Sequence, residues 1–195
     1  MTVAVIKYSA GNIRSVQIAL DRLGVDSVVT DDPDTIRRAD KVIFPGVGEA
    51  SSAMAYLKER GLDTLIVSLK QPVLGICLGL QLMCSRSEEG NTDCLGIFDN
   101  KILKFPGTDK VPHMGWNSIY GLKGPLFNGI GNGSHVYFVH SFAAETGPDQ
   151  IAETDYIMPF ASALQKDNFY ALQFHPEKSG EIGQKILENF LRLKV

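Results

Sequence analysis

The chain has 195 residues, 44% hydrophobic, 21% charged and 9% aromatic, with a formal net charge of −3. At about 150 residues per domain, this is the length of a single domain over 1–195, long enough to bury a core without disulfides or a structural metal. Ordinary apolar content with little net charge excludes a disordered chain, the lack of a long apolar run excludes a membrane helix, and 19 Lys and Arg against 22 Asp and Glu, without a basic cluster, argue against nucleic acid as a partner.

Thr2 to Tyr8 reads as a buried strand, with Val3, Ala4, Val5 and Ile6 together. No charged segment followed by a long apolar one stands there, so no export signal is read and the chain is expected in the cytoplasm. Cys77, Cys84 and Cys94 form no C-x-x-C pair and are expected as reduced thiols. Ala10-Gly11-Asn12 breaks the first strand. Ile13, Val16, Leu20 and Leu23 then mark one face of a helix that ends at Gly24. Val25 to Thr30 is a second strand, and Asp32 or Asp34 caps a short helical turn with Pro33. Lys41 to Phe44 is a third strand, stopped by Pro45-Gly46. Ala50, Ala53, Met54 and Leu57 give a helix, Leu62 to Lys70 another, and Val73 to Ile76 a fourth strand. Apolar strands alternating with helices predict a parallel sheet with helices on both faces, a flavodoxin-like α/β layering.

The second half changes character. Ile102 to Phe105, Gly115 to Tyr120, Val136 to Ala143, Ile151 to Thr154, Ala161 to Lys166 and Tyr170 to Phe174 read as strands with short turns, the antiparallel additions to the sheet. Asp167-Asn168 suits a hairpin. Ser179 is expected to cap a closing helix with Ile182, Ile186, Leu187, Phe190 and Leu191 on one face.

The sharpest local feature is Gly75-Ile76-Cys77-Leu78-Gly79, between an apolar strand and a helical pattern. It has the form of a nucleophile elbow with Cys in place of Ser. Glycines two residues to either side leave room for a sharp turn. The turn sets Cys77 at a helix N-terminus, which favours a thiolate, and aims the Leu78 N–H at a developing oxyanion. The alternative is a buried cysteine between two packing glycines. Of the four histidines, His135 suits an exposed strand edge, and His113 and His140 suit structural positions. His175 ends a strand and is followed by Pro176 and Glu177; in an extended segment Glu177 would share its side and orient the imidazole. The same tripeptide also suits an ordinary loop, or a metal site given a third ligand, although no zinc-type spacing supports the latter. Pro45-Gly46-Val47-Gly48 could aim a second N–H, from Val47 or Gly48, at the oxyanion; as a dinucleotide fingerprint it fails at Ser51.

These three segments, with Gln81 following the elbow, resemble the signatures of class I, triad-type glutamine amidotransferases. Tyr8 with Gly11-Asn12-Ile13-Arg14-Ser15, Pro112-His113-Met114-Gly115-Trp116-Asn117, and Tyr137-Phe138-Val139-His140-Ser141-Phe142 narrow the resemblance to the glutaminase subunits of imidazole glycerol phosphate synthases, over nearly the whole chain. The resemblance implies Cys77, His175 and Glu177 as the triad and Val47, Gly48 and Leu78 at the oxyanion. It implies Gln81, Ser141 and Phe142 against glutamine, and Asn12, Trp116 and Tyr137 near a partner. That partner is a (β/α)8-barrel cyclase subunit, which takes the ammonia through an internal channel and makes imidazole glycerol phosphate from a phosphoribulosyl-formimino ribonucleotide. No metal or organic cofactor is implied. Only Lys194 and Val195 follow the last helix, so the ammonia acceptor is expected on another chain. Two residues depart from the family pattern: Lys7, where an acidic residue is usual, and Phe142, where Tyr is frequent. Core packing is the alternative for Trp116. A standalone cysteine hydrolase, an amidotransferase serving another synthase, and a non-catalytic binding module on the same fold are the rival functions.

Overall fold

The computed structural model describes residues 1–8 and 12–194. Ala10 and Gly11, read as part of the break after the first strand, lie outside the described residues. Among these residues the elements are β1 (Val3–Ile6), α1 (Ile13–Arg22), β2 (Ser27–Thr30), α2 (Pro33–Arg38), β3 (Lys41–Gly46), α3 (Ala50–Glu59), α4 (Leu62–Ser68), β4 (Val73–Cys77), α5 (Leu78–Met83), β5 (Arg86–Ser87), β6 (Thr92–Asp93), β7 (Lys101–Lys104), β8 (His113–Ile119), β9 (Ser134–His140), β10 (Phe142–Ala144), β11 (Gln150–Asp155), β12 (Pro159–Lys166), β13 (Phe169–Leu172) and α6 (Gly180–Leu191).

Five strands in the order β2-β1-β3-β4-β13, all parallel to their neighbours, make the centre of the main sheet. This is a doubly wound order, which puts sites at the carboxyl ends of the strands. The sheet continues through β12, β10 and β7 as antiparallel neighbours and ends at β5 and β6, with β11 also on β12. Strand alternation explains the continuous apolar runs. Ala4 and Ile6 of β1 pack into the core that holds Met54, Leu57, Leu65 and Ile66 of α3 and α4. Val3 and Val5 face the opposite core, with Val16 and Leu20 of α1 and Ile186, Leu187 and Phe190 of α6. Helices therefore cover both faces, and β8 and β9 form a separate antiparallel ribbon.

Four expectations change in detail. First, β3 runs on through Pro45-Gly46. Val42 N–H donates toward β4, so the nitrogen of Pro45, three residues on, faces the β1 side, where pairing has stopped at Ile43. Second, Val136 to Ala143 is two strands: the chain breaks at Ser141, leaving the ribbon for the main sheet. Third, β13 ends at Leu172, although the Gln173 backbone N–H still donates to the Ser162 carbonyl of β12 at 2.9 Å. Fourth, the Ser179 hydroxyl makes no cap on α6; it bonds across to other segments, described below. Asp32, rather than Asp34, caps α2, accepting from Thr35 N–H at 2.8 Å. Asp167, in the left-handed region at φ 52°, turns the hairpin that pairs Lys166 with Phe169.

Candidate active site

Strand register assembles the site. In the β3–β4 ladder Gly46 stands opposite Cys77, so the Val47-Gly48 turn emerges beside the nucleophile candidate. In the β4–β13 ladder Ile76 stands opposite Leu172, so Gln173 and His175 follow on the other side. The three sequence segments thus meet at the carboxyl ends of adjacent parallel strands.

Cys77 has φ 54° and ψ −106°, and α5 begins at the next residue. A left-handed φ on a cysteine is backbone strain that the surroundings must enforce. They do so through the two glycines. A Cβ on Gly75 would come within 3.0 Å of the Gly79 carbonyl carbon and the Leu80 nitrogen, and one on Gly79 would overlap the Phe44 carbonyl oxygen. The Cys77 side chain is nearly buried, its Sγ 3.8 Å from the Val139 carbonyl oxygen and 3.8 Å from Gln173 Nε2.

His175 is fully buried, and its Nδ1 donates to Glu177 Oε1 at 2.7 Å, both side chains being closed to solvent. Glu177 reaches the ring through a tight 3₁₀ turn over Pro176–Lys178, not along an extended segment as the sequence suggested. Burial alone would lower the proton affinity of His175. Cys77 and Glu177 outweigh it and hold the pKa up at about 10. Nε2 has no hydrogen-bond partner among the described residues.

Asn12 does not stand apart on the surface. Its Nδ2 donates to Glu177 Oε1 and lies 3.3 Å from His175 Nδ1. Ser179, buried, accepts from Tyr137 N–H at 2.9 Å and donates to the His175 carbonyl at 2.6 Å, while His175 N–H donates to the Tyr137 carbonyl at 2.9 Å. The segment 175–179 is therefore pinned to β9.

Cys77 opens into a cavity of about 340 Å³ bounded by Val47, Gly48, Leu78, Gln81, Glu89, His140, Ser141 and Phe142. This volume suits a small ligand. Gln81 is buried, and its Nε2 donates to the Phe142 carbonyl at 2.9 Å and to Gln173 Oε1 at 3.3 Å. Phe142 is half-buried, and Lys7 is exposed just after β1. Trp116 is 56% exposed, which overturns the core-packing alternative. It meets Tyr137 edge-on at 6.0 Å, and Lys178 Nζ sits 5.8 Å over the Tyr137 ring. No group of three or more His, Cys, Asp or Glu among the described residues is placed to hold a metal ion.

Glu89 and Gln173 are not singled out in the sequence, and Ser179 reads there only as a helix cap. Glu89 is the one carboxylate on the cavity wall; its Oε2 accepts from Ala50 N–H at 2.8 Å, and burial raises its pKa. Gln173 carried a signal: it is a fully buried polar side chain in an otherwise apolar strand run.

The model of the glutamine amidotransferase class-I family matches residues 4–193. The chain belongs to the class I glutamine amidotransferases. Among its amidotransferase relatives, the imidazole glycerol phosphate synthase subunit HisH of Bacteroides fragilis is 62% identical, over 99% of this chain and all of that one. HisH of Bacteroides thetaiotaomicron is 59% identical and that of Escherichia coli K12 48% identical, with the same coverage. Solved structures share the fold of this amidotransferase. A glutamine amidotransferase from Thermotoga maritima superposes with a TM-score of 0.65 at 16% identity, over 98% of this chain and 82% of that one. A second glutamine amidotransferase gives a TM-score of 0.76 at 17% identity, over 97% of this chain and 96% of that one.

Proposed function

We propose that this chain, the glutamine amidotransferase subunit of an imidazole glycerol phosphate synthase of histidine biosynthesis, hydrolyses glutamine on Cys77 and passes the ammonia to a separate (β/α)8-barrel cyclase subunit. The observation that carries the reading is the buried Cys77 on the wall of a cavity that Gln81 and Glu89 also line, beside the buried His175–Glu177 pair. The Cys77 thiolate attacks the side-chain amide carbon of glutamine. Backbone N–H groups of Leu78 and the Val47-Gly48 turn hold the oxyanion. With its pKa near 10, His175 is an imidazolium at neutral pH, the acid that the departing ammonia needs. Neutral His175 then takes a proton from water, which cleaves the γ-glutamyl thioester and returns the thiolate. Glu177, steadied by Asn12, fixes the ring through Nδ1. Glu89 suits the α-ammonium of the substrate, and Gln81, Ser141 and Phe142 bound its carbon chain. These steps call on no metal or organic cofactor.

The whole chain works as one amidotransferase domain in the cytoplasm. The exposed Trp116 and the half-buried Tyr137 on the ribbon, beside Lys178, form the face for the cyclase, with Asn12 bonded to Glu177 nearby. No helix among the described residues is long and apolar enough to cross a membrane. The test is glutamate release by the chain alone and mixed with the cyclase subunit of the same source and its nucleotide substrate. Release that rises steeply with partner and nucleotide supports the reading. Strong release indifferent to both favours a standalone hydrolase or another synthase.

A further inference from the structure

We infer that Gln173 is a further catalytic residue, whose carboxamide N–H holds the Cys77 sulfur as a thiolate aimed at the substrate cavity; this rests on the reading of Cys77 as nucleophile. Its orientation follows from the network. The Phe142 carbonyl can only accept, so Gln81 presents Nε2 to it and to the neighbouring Gln173. Gln173 must then offer Oε1 to Gln81, which turns its own Nε2 to Sγ, 3.8 Å away. The sulfur thus has two opposed partners. The Val139 carbonyl, also at 3.8 Å, accepts only from a thiol, whereas the Gln173 N–H is best used by an anion. The titratable groups facing the sulfur are His175 after β13 and Tyr8 after β1. Gln173 is fully buried, its backbone N–H donates to the Ser162 carbonyl at 2.9 Å and its Oε1 accepts from Gln81, so the carboxamide is held in place before substrate arrives. Through Gln81, the same side chain links the cavity wall to the nucleophile.

Iodoacetamide alkylation of Cys77 in the full chain, followed by peptide mass spectrometry across pH, reads this directly, because only the thiolate reacts. In Gln173→Leu the donor is gone, and in the near-isosteric Gln173→Glu an acceptor faces the sulfur. Both are expected to slow Cys77 alkylation at pH 7 about tenfold or more, with a higher pH midpoint, the Glu variant more than the Leu variant. Glutamine kcat in the complex falls alongside. Thermal unfolding of each variant separates this from loss of fold, and Gln173→Glu preserves the shape if Gln173→Leu does not fold. Alkylation profiles in both variants that match the parent protein overturn the inference. A Cys77→Ala control distinguishes the two failures: surviving turnover there removes the triad and this inference with it, whereas lost turnover with unshifted alkylation removes this inference alone.

Discussion

His175 and the His113–His140 pair are buried to similar depth, all under 7% exposed, yet carry opposite charge preferences. Beside the cavity, Cys77 and Glu177 lift His175 to about 10. Under the β8–β9 ribbon, burial pushes His113 down to about 4 and His140 to about 3. No anion offsets it there, and the charge of His175 lowers His140 further. Tyr156 stacks on His113 at 4.0 Å and Phe138 at 4.8 Å, and Phe160 lies edge-on to His140 at 5.1 Å. The hydrogen bonds run one way. His140 Nδ1 donates to the Phe142 carbonyl at 2.8 Å, so its Nε2 accepts from His113 Nδ1 at 2.9 Å, and His113 Nε2 accepts from Asn117 at 3.3 Å. A neutral pair stands at the cavity rim, and a charged ring stands beside Cys77. Burial penalises all three imidazolium forms; a paired anion decides which one is charged.

Removing that anion should erase the contrast. Glu177→Gln is expected to cost about 10²–10⁴-fold in glutamine kcat and to drop the His175 titration, followed by ring NMR, well below 10. A raised pKa contributes stability that is complete below about 6.5 and lost as pH rises through about 10. The same variant should therefore flatten the alkaline loss of stability seen in urea titrations.

Supplying an anion should reverse the other side. Asn117→Asp sets a carboxylate against His113 Nε2 and is expected to raise its pKa by about one to three units. The depressed pKa values of His113 and His140 give stability that is present above about 6.5 and lost as pH falls through about 4 and 3. Urea midpoints between pH 7 and pH 4 should fall less steeply in Asn117→Asp than in the parent chain.

Ser179 joins the two regions, and Ser179→Ala leaves the buried Tyr137 N–H without its side-chain acceptor. A loss of about 1–3 kcal/mol in denaturant unfolding is expected, with reduced turnover because the His175 carbonyl keeps only the Lys178 N–H as donor. Trp116→Ala should be the mildest for the isolated chain, within about 0.5 kcal/mol because the ring is exposed. Its effect should appear in weakened binding of the cyclase, measured by titration calorimetry.

The elements with local causes were legible in the sequence. Gly75 and Gly79 announced the sharp turn because a Cβ at either meets backbone, and His175-Pro176-Glu177 announced the His175–Glu177 pair because the partner is two residues away. What stayed hidden depends on distant chain segments. Gln173 matters through Cys77, 96 residues earlier, and Glu89 through the fold of α3. Ser179 resembled a cap, but its hydroxyl found Tyr137 and His175 instead of the first turn of α6. The break at Ser141 was hidden because strand stands on both sides of it with one residue between, while β5 and β6, two residues each, are too short to show a period.

The most direct measurement is covalent capture. Radiolabelled glutamine is mixed with the chain, its cyclase partner and nucleotide, quenched in acid during turnover, and the labelled peptide is mapped. The account predicts a base-labile γ-glutamyl label on the Cys77 peptide, absent from Cys77→Ala together with glutamate release. Label on Cys84 or Cys94, or undiminished glutamate release by Cys77→Ala, would contradict it.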